Sequence, residues 1–212
     1  MKKYMMAGVA LCLFSALAQA QTAIDKGDFI VRGGVAIIDP ESDGLSIDLG
    51  AGPQNLSADS ATGVTFNLEY MFTRNIGLEL LAALPYKHDL QLDGTTIGET
   101  KQLPPTLSVK WHQPIGQIVP YVGLGVNWTV FFDEKLDGGN NVLALDDSLG
   151  IAAQIGFDYV FSNNWLVNVD VRYISIETDA VVGGTLAGGG AAAIGTVDIN
   201  PWVYGVNVGY KF

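Results

Sequence analysis

The fold class is decided by the final stretch of the sequence, Trp202-Val203-Tyr204-Gly205-Val206-Asn207-Val208-Gly209-Tyr210-Lys211-Phe212. Every second residue from Trp202 onward is aromatic or aliphatic, whereas the residues between them include Asn207, Lys211 and two glycines. This period of two is that of a β-strand and excludes a helix. One continuous apolar face is typical of a strand whose outer side contacts lipid.

The same strand carries the expected assembly signal. It ends on Tyr210 and Phe212, which resembles the terminal signal by which the barrel assembly machinery recognises outer-membrane proteins. We therefore expect that machinery as a partner. We expect the chain to be a multi-pass protein of the outer membrane of a Gram-negative bacterium.

Seven earlier segments alternate in the same way, at residues 29–37, 64–72, 76–86, 103–111, 122–132, 149–161 and 165–173. None of their outward positions is charged, and Tyr86 belongs to the outward set of the third segment. A Lys or Arg facing lipid at mid-membrane costs roughly 2–4 kcal/mol. We therefore predict an all-β fold, an eight-stranded antiparallel transmembrane β-barrel.

The connections and the N-terminus fit this fold. Lys2 and Lys3, an apolar run over residues 5–17 and Ala18-Gln19-Ala20 predict a signal peptide over residues 1–20, which leaves the barrel as residues 21–212. Short turns at 73–75, 112–117 and 162–164 are expected in the periplasm, and long loops at 39–61, 88–101, 133–147 and 177–196 outside. The last loop is rich in Gly and Ala, and we expect it to be mobile.

Composition excludes several function classes. Without Lys2 and Lys3, nine basic residues stand against 22 acidic ones, which argues against nucleic acid as a partner. Cys12 lies in the predicted signal peptide, so the mature part has no cysteine for a disulfide, a nucleophile or a metal. His88 and His112 fall at opposite ends of the barrel, so no shared metal site, cofactor or catalytic triad is expected, and the chain is not predicted to be an enzyme.

Charged residues occupy many inward positions of the periplasmic half of the predicted barrel. An unpaired charge in so narrow an interior costs several kcal/mol, so these groups should pair. An interior of this size is filled by side chains. We therefore predict a salt-bridge plug and not an ion channel, formed by Arg32, Glu69, Glu79, Lys110, Asp158, Asp170 and Lys211.

The inward positions of the extracellular half are mostly apolar: Ile38, Leu81, Ala83, Phe131, Ile174, Ile176 and Val203. They predict a pocket for a hydrophobic guest, although the same residues could simply fill the core of a small barrel. Pro85 lies at this height and cannot donate to a β-ladder. It predicts a local gap in the wall, unless strand pairing merely ends just below it.

Several segments resemble the OmpW family of outer-membrane proteins over the whole mature chain. They are Gly27-Asp28-Phe29-Ile30-Val31-Arg32, Asn75-Ile76-Gly77-Leu78-Glu79-Leu80-Leu81-Ala82-Ala83, Leu103-Pro104-Pro105-Thr106, Pro120-Tyr121-Val122-Gly123, Phe131-Phe132-Asp133, and Asn200-Pro201-Trp202-Val203-Tyr204 through Lys211-Phe212. The resemblance implies a hydrophobic extracellular funnel that is blocked towards the periplasm. It also implies uptake of small hydrophobic molecules, as in the similar alkane-uptake proteins, with sideways exit near Pro85 and with Leu81 lining the constriction.

One position departs from the family pattern. Arg172 stands where relatives often carry an inward Trp, and Asp170 faces the same way. We therefore count Arg172, with Asp170, among the predicted plug charges. The charged pair could narrow the apolar pocket or raise the plug.

Two functions remain open from the sequence. One is passive uptake of small hydrophobic molecules, and the other is a structural or surface-interaction barrel for stress adaptation, adhesion or phage reception. Outer-membrane lipid and lipopolysaccharide are expected partners in both cases. An acidic outer loop could share divalent cations with lipopolysaccharide or could simply be solvated; its residues are Asp133, Glu134, Asp137, Asp146 and Asp147.

Overall fold

The computed structural model describes residues 23–41, 45–48, 52–137, 141–162, 164–184 and 189–212. The predicted signal peptide lies outside these residues. The strands are β1 (Phe29–Asp39), β2 (Leu45–Asp48), β3 (Pro53–Ala58), β4 (Ala61–Met71), β5 (Ile76–Ala83), β6 (Tyr86–Leu92), β7 (Thr95–Leu103), β8 (Thr106–His112), β9 (Ile118–Leu136), β10 (Val142–Leu145), β11 (Ser148–Val160), β12 (Trp165–Ile174), β13 (Glu177–Gly184), β14 (Gly190–Asp198) and β15 (Trp202–Lys211). Among the described residues, no helix is both long enough and apolar enough to cross a membrane.

Eight of these strands close into an antiparallel barrel in the order β1, β4, β5, β8, β9, β11, β12 and β15, and β15 pairs back onto β1. Val206 of β15 shows the closure, because it lies opposite Val35 of β1 on one side and Val169 of β12 on the other. Closure gives each of the eight strands a partner on both sides, so the barrel has no edge strand. The predicted eight-stranded barrel is confirmed.

The alternation of apolar and polar residues in the sequence matches the alternation of outward and inward side chains in the barrel wall. Val206 and Val208 face outward and are exposed, whereas Asn207 between them is buried. The same holds around the barrel, where the exposed aliphatic and aromatic side chains form the lipid-facing surface. Polar and charged side chains of the strands therefore point inward, where they must find partners.

The short turns lie where they were predicted, since β4 ends at Met71 before β5, β8 ends at His112 before β9, and β11 ends at Val160 before β12. The long connections differ from the prediction. Much of each continues as paired strand beyond the membrane-spanning part, so β6 pairs with β7 and β7 pairs with β9.

The last long segment was predicted to be a loop, and that prediction was wrong for most of its length. β13 (residues 177–184) and β14 (residues 190–198) pair in antiparallel fashion, and β13 also pairs with β10. Val182 of β13 is buried against Leu90 and Leu143. Apolar packing above the membrane thus orders a segment whose composition looks like that of a loop.

The wall has an irregularity at Pro85. Pairing between neighbouring strands passes from Leu81 opposite Thr106 to Tyr86 opposite Gln102, so five steps along one strand match four along the other. Leu84 and Pro85 are consecutive and both exposed. This extra residue shifts the alternation, and the prediction that Tyr86 faces outward was wrong: its side chain is buried in the interior.

Candidate functional site

The interior of the barrel is layered, and strand β1 displays the order of the layers. From the end with the short turns upward, its inward side chains are Ile30, Arg32, Ala36 and Ile38. Ile30 belongs to an apolar cluster at the periplasmic end, here called the periplasmic seal: Ala23, Ile24, Ile30, Met71, Val119, Val160 and Leu166. The sequence reading placed charges in this half and missed the seal.

An ion network lies directly above the seal. The guanidinium of Arg32 contacts Glu69 through Nη1 at 2.7 Å and Asp158 through Nη2 at 2.7 Å. Glu79 lies 3.5 Å from Arg32 Nη1. These side chains are almost completely buried. A buried charge is tolerated only when it is paired and hydrogen-bonded, and here Arg32 has three carboxylate partners.

Lys110 joins the two glutamates of this network. Its Nζ donates to Glu69 Oε2 at 3.0 Å and to Glu79 Oε2 at 2.9 Å, and it lies 3.7 Å from the centre of the Tyr121 ring. His112 Nε2 lies 2.6 Å from Glu69 Oε1. The sequence reading assigned His112 to a turn, but it faces inward because it continues the alternation of β8.

Arg172 and Asp170 form the upper edge of the network. Arg172 Nη2 lies 3.2 Å from Glu79 Oε1, and Arg172 Nε lies 3.1 Å from Asp170 Oδ2. Gln154 also accepts from Arg172 Nε at 2.9 Å. Arg172 and Asp170 thus extend the ion network towards the extracellular end. Lys211 is separate: it lies at the periplasmic rim, where its Nζ is 3.3 Å from Asp28 Oδ2.

An apolar layer fills the interior above the network. This layer consists of Ala36, Ile38, Ala61, Tyr86, Phe131, Ala152, Ile174, Ile176 and Val203, with Ala83 packed against them. Of the residues predicted for the hydrophobic pocket, it includes Ile38, Ala83, Phe131, Ile174, Ile176 and Val203. Leu81 is buried but lies outside this cluster, between Asn67 and Thr106 of the neighbouring strands. Pro85 lies on the exposed side of the wall.

The irregularity at Pro85 has a counterpart on the adjacent strand. β7 ends at Leu103 and β8 begins at Thr106, so Pro104 and Pro105 face the break between β5 and β6. Between residues 82–85 and residues 103–105 the described pairing is interrupted. We call this interruption the wall gap. Asn127 braces one side of it by donating its Nδ2 to Thr106 Oγ1 at 3.0 Å.

A cavity of about 60 Å³ lies above the apolar layer, among the strands beyond the membrane. We call it the extracellular cavity. Most of its lining is apolar. The lining residues are Pro40, Ser57, Ala58, His88, Leu90, Thr100, Gln102, Phe131, Leu143, Leu145, Thr178, Ala180, Val197, Asp198 and Ile199. Phe131 connects it to the apolar layer.

His88 is the central polar group of the extracellular cavity. Its Nδ1 lies 2.7 Å from the carbonyl oxygen of Asp59, and its Nε2 lies 2.8 Å from Gln102 Nε2. Burial lowers the pKa of the His88 imidazole, and the Asp59 carbonyl opposes this only in part. Across the described part of the chain, no three His, Cys, Asp or Glu side chains group as a metal site requires.

Comparison with known proteins shows the family to which this chain belongs. The model of the OmpW family matches residues 25–212. The chain belongs to the OmpW family. It is 42% identical to outer membrane protein W of Vibrio cholerae, over 95% of this chain and 97% of that protein.

Solved structures agree with this family assignment. The crystal structure of OprG from Pseudomonas aeruginosa is similar with a TM-score of 0.80 and 38% identity, covering 89% of this chain and 97% of OprG. The solid-state NMR structure of AlkL in lipid bilayers has a TM-score of 0.71 and 25% identity, covering 92% and 95%. This OmpW-family chain is therefore an outer-membrane β-barrel, as the sequence predicted.

Sequence reasoning missed four parts of the interior of this OmpW-family barrel: the inward Tyr86, His112 in the ion network, the periplasmic seal, and the polar group in the extracellular cavity. His112 and the seal follow from extending the alternation to the strand ends. The inward position of Tyr86 does not, because Pro85 predicts a gap in the wall but not the extra residue that shifts the alternation after it. The polar group forms only when β6 and β7 pair above the membrane.

Proposed function

We propose that this OmpW-family barrel takes up small hydrophobic molecules passively from outside and releases them sideways into the outer membrane through the wall gap. The observation that carries the proposal is the wall gap itself. Proline residues lie in both breaks that form it: Pro85 lies between β5 and β6, and Pro104 and Pro105 lie between β7 and β8. A proline has no N–H with which to continue the ladder.

The layers below the wall gap favour this direction of exit. A guest that continued to the periplasm would have to pass the ion network and then the periplasmic seal. A guest that leaves sideways passes from the apolar layer into lipid. Each Å² of apolar surface kept from water is worth roughly 25 cal/mol, so an apolar guest gains nothing by crossing paired charges.

Uptake by wall variants tests the proposal. Pro85→Val supplies a ladder donor at the wall gap and should lower the uptake rate without loss of folded protein. Leu81→Asp should also lower uptake, because it places a charge beside the apolar route. Pro120→Val is the matched control, because Pro120 lies opposite Phe157 in a continuous ladder, and it should transport like the wild type.

The measurement is the uptake rate of a small hydrocarbon by cells with equal amounts of folded barrel in the outer membrane. Cells that lack the protein provide the baseline. If Pro85→Val and Leu81→Asp both transport like the wild type, the sideways exit is contradicted. If the wild-type barrel does not exceed the baseline, the uptake function itself is contradicted.

A further inference from the structure

Two buried polar atoms of the extracellular cavity have no hydrogen-bond partner in the described part of the chain: Thr100 Oγ1 and Gln102 Oε1. Both residues line the cavity and are at most 5% exposed. A buried polar group without a partner destabilises the folded state, because it has lost its hydrogen bonds to water. Two such atoms on residues that line one largely apolar cavity indicate a place for a ligand that satisfies them.

The hydrogen bonds of His88 determine which atom of Gln102 is free. The carbonyl oxygen of Asp59 can only accept, so His88 Nδ1 carries the proton and donates to it. The unprotonated Nε2 of His88 then accepts from Gln102 Nε2. The amide nitrogen of Gln102 is thereby fixed towards His88, and its Oε1 remains as a free acceptor.

The charge of the lining restricts the ligand further. Asp198 is the one charged side chain among the lining residues, and no Lys or Arg is among them. A carboxylate or phosphate guest would find no cation there. The remaining lining is mostly aliphatic and aromatic, which favours an apolar body.

We infer that the extracellular cavity binds a neutral, mainly apolar molecule that carries a hydroxyl group. The hydroxyl donates to Gln102 Oε1 and accepts from Thr100 Oγ1. Phe131, Leu145 and Ile199 line the cavity and also belong to or pack against the apolar layer, so the apolar body extends along them. This inference rests on the proposed uptake function and names its guest class.

Thr100→Val tests the hydroxyl site, and Thr178→Val is its matched control. Thr178 also lines the cavity, but its Oγ1 already donates to the carbonyl oxygen of Asp146 at 2.6 Å. Both variants remove one hydroxyl from the same cavity with almost no change in volume. Only Thr100→Val removes a free one, and it should not destabilise the fold, because the hydroxyl of Thr100 has no partner to lose.

Binding is measured on the full barrel in lipid nanodiscs, by NMR of the Gln102 side-chain amide during titration with 1-octanol, n-octane or octanoate. We expect octanol to bind more tightly than octane, and octanoate to be the weakest. Thr100→Val should weaken octanol by about fivefold, the value of one ordinary hydrogen bond, and leave octane unchanged. Thr178→Val should keep the preference for octanol.

Equal affinity for octanol and octane in the wild type would overturn the inference, and so would a site that holds only water. An equal loss of octanol affinity in Thr100→Val and Thr178→Val would also overturn it. Uptake by cells separates this result from the proposed function. If octanol binds as expected but the barrel does not speed uptake, the hydroxyl site stands and the uptake proposal fails.

Discussion

At the scale of single residues, Glu69 is the hub of the interior. It contacts Arg32, Lys110 and His112, all with side chains that are fully buried. Without the Glu69 carboxylate, Arg32 would keep only Glu79 and Asp158, and Lys110 would keep only Glu79. Two buried cations would each lose a partner, which is more costly than losing an exposed pair. The ion network therefore depends on each of its members, and on Glu69 most of all.

Glu69→Gln should accordingly destabilise the barrel by about 3–5 kcal/mol. Glu99→Gln is the matched control, since Glu99 also contacts two cations, Lys87 at 2.6 Å and Lys135 at 3.7 Å, but on the exposed outer surface. The free energy of unfolding is measured by urea titration in micelles. A loss for Glu69→Gln no larger than that for Glu99→Gln would contradict the role given to the network.

His88 should titrate below the ordinary histidine pKa of about 6.5, because burial in the extracellular cavity disfavours the imidazolium. The free energy of unfolding should therefore fall at acid pH. The stabilisation from neutral His88 is complete above the unfolded-state pKa and is lost as the pH falls through the lowered folded-state pKa. Ring nitrogen shifts measured by NMR against pH report this directly, and a midpoint at or above the ordinary value would contradict it.

At the scale of elements, the interruption between β5 and β6 explains both the wall gap and the orientation of Tyr86. The extra residue turns Tyr86 inward, where its ring lies over Gly63 of β4, and a Cβ at Gly63 would collide with that ring. The glycine thus makes room for the aromatic side chain that closes the apolar layer beside the wall gap.

Gly63→Ala should therefore destabilise the barrel by about 1–3 kcal/mol, the usual cost of overpacking. Gly33→Ala is the control on the neighbouring strand, because an added Cβ there would lie no closer than 3.8 Å to any atom. That variant should be neutral or slightly stabilising. Thermal unfolding of both variants checks the difference, and equal behaviour would mean that Tyr86 does not pack on Gly63.

The eight membrane-spanning strands could be predicted from the period of two in the sequence. A strand shifted by one residue would place its charges in lipid, which is too costly. Outside the membrane this cost is absent, and there the period of two no longer identified the strands. Above the membrane, outward side chains such as Lys87 can be charged, so β6 and β13 look like loops. Partners such as His88 and Gln102 meet only through strand pairing, which the sequence does not display.

At the scale of the whole molecule, the interior is graded from bottom to top. The periplasmic seal and the ion network close the lower half, the apolar layer fills the middle, and the extracellular cavity lies above it. The wall gap is the interruption that the described part of the wall shows at the height of the apolar layer. We propose that a guest entering from outside leaves through this gap and not through the lower half.

Photolabelling along the route tests whether the guest leaves through the wall gap. Cells expressing the full barrel are incubated with an aliphatic alcohol that carries a diazirine and are then illuminated, and the adducts are located by mass spectrometry. Probe dissolved in lipid labels outward residues such as Leu124 and sets the background. We predict interior adducts on Phe131 and Tyr86 and, beside the gap, adducts on Leu84 above the background that Leu124 sets. Adducts on Ile24 and Leu166 of the periplasmic seal would contradict it.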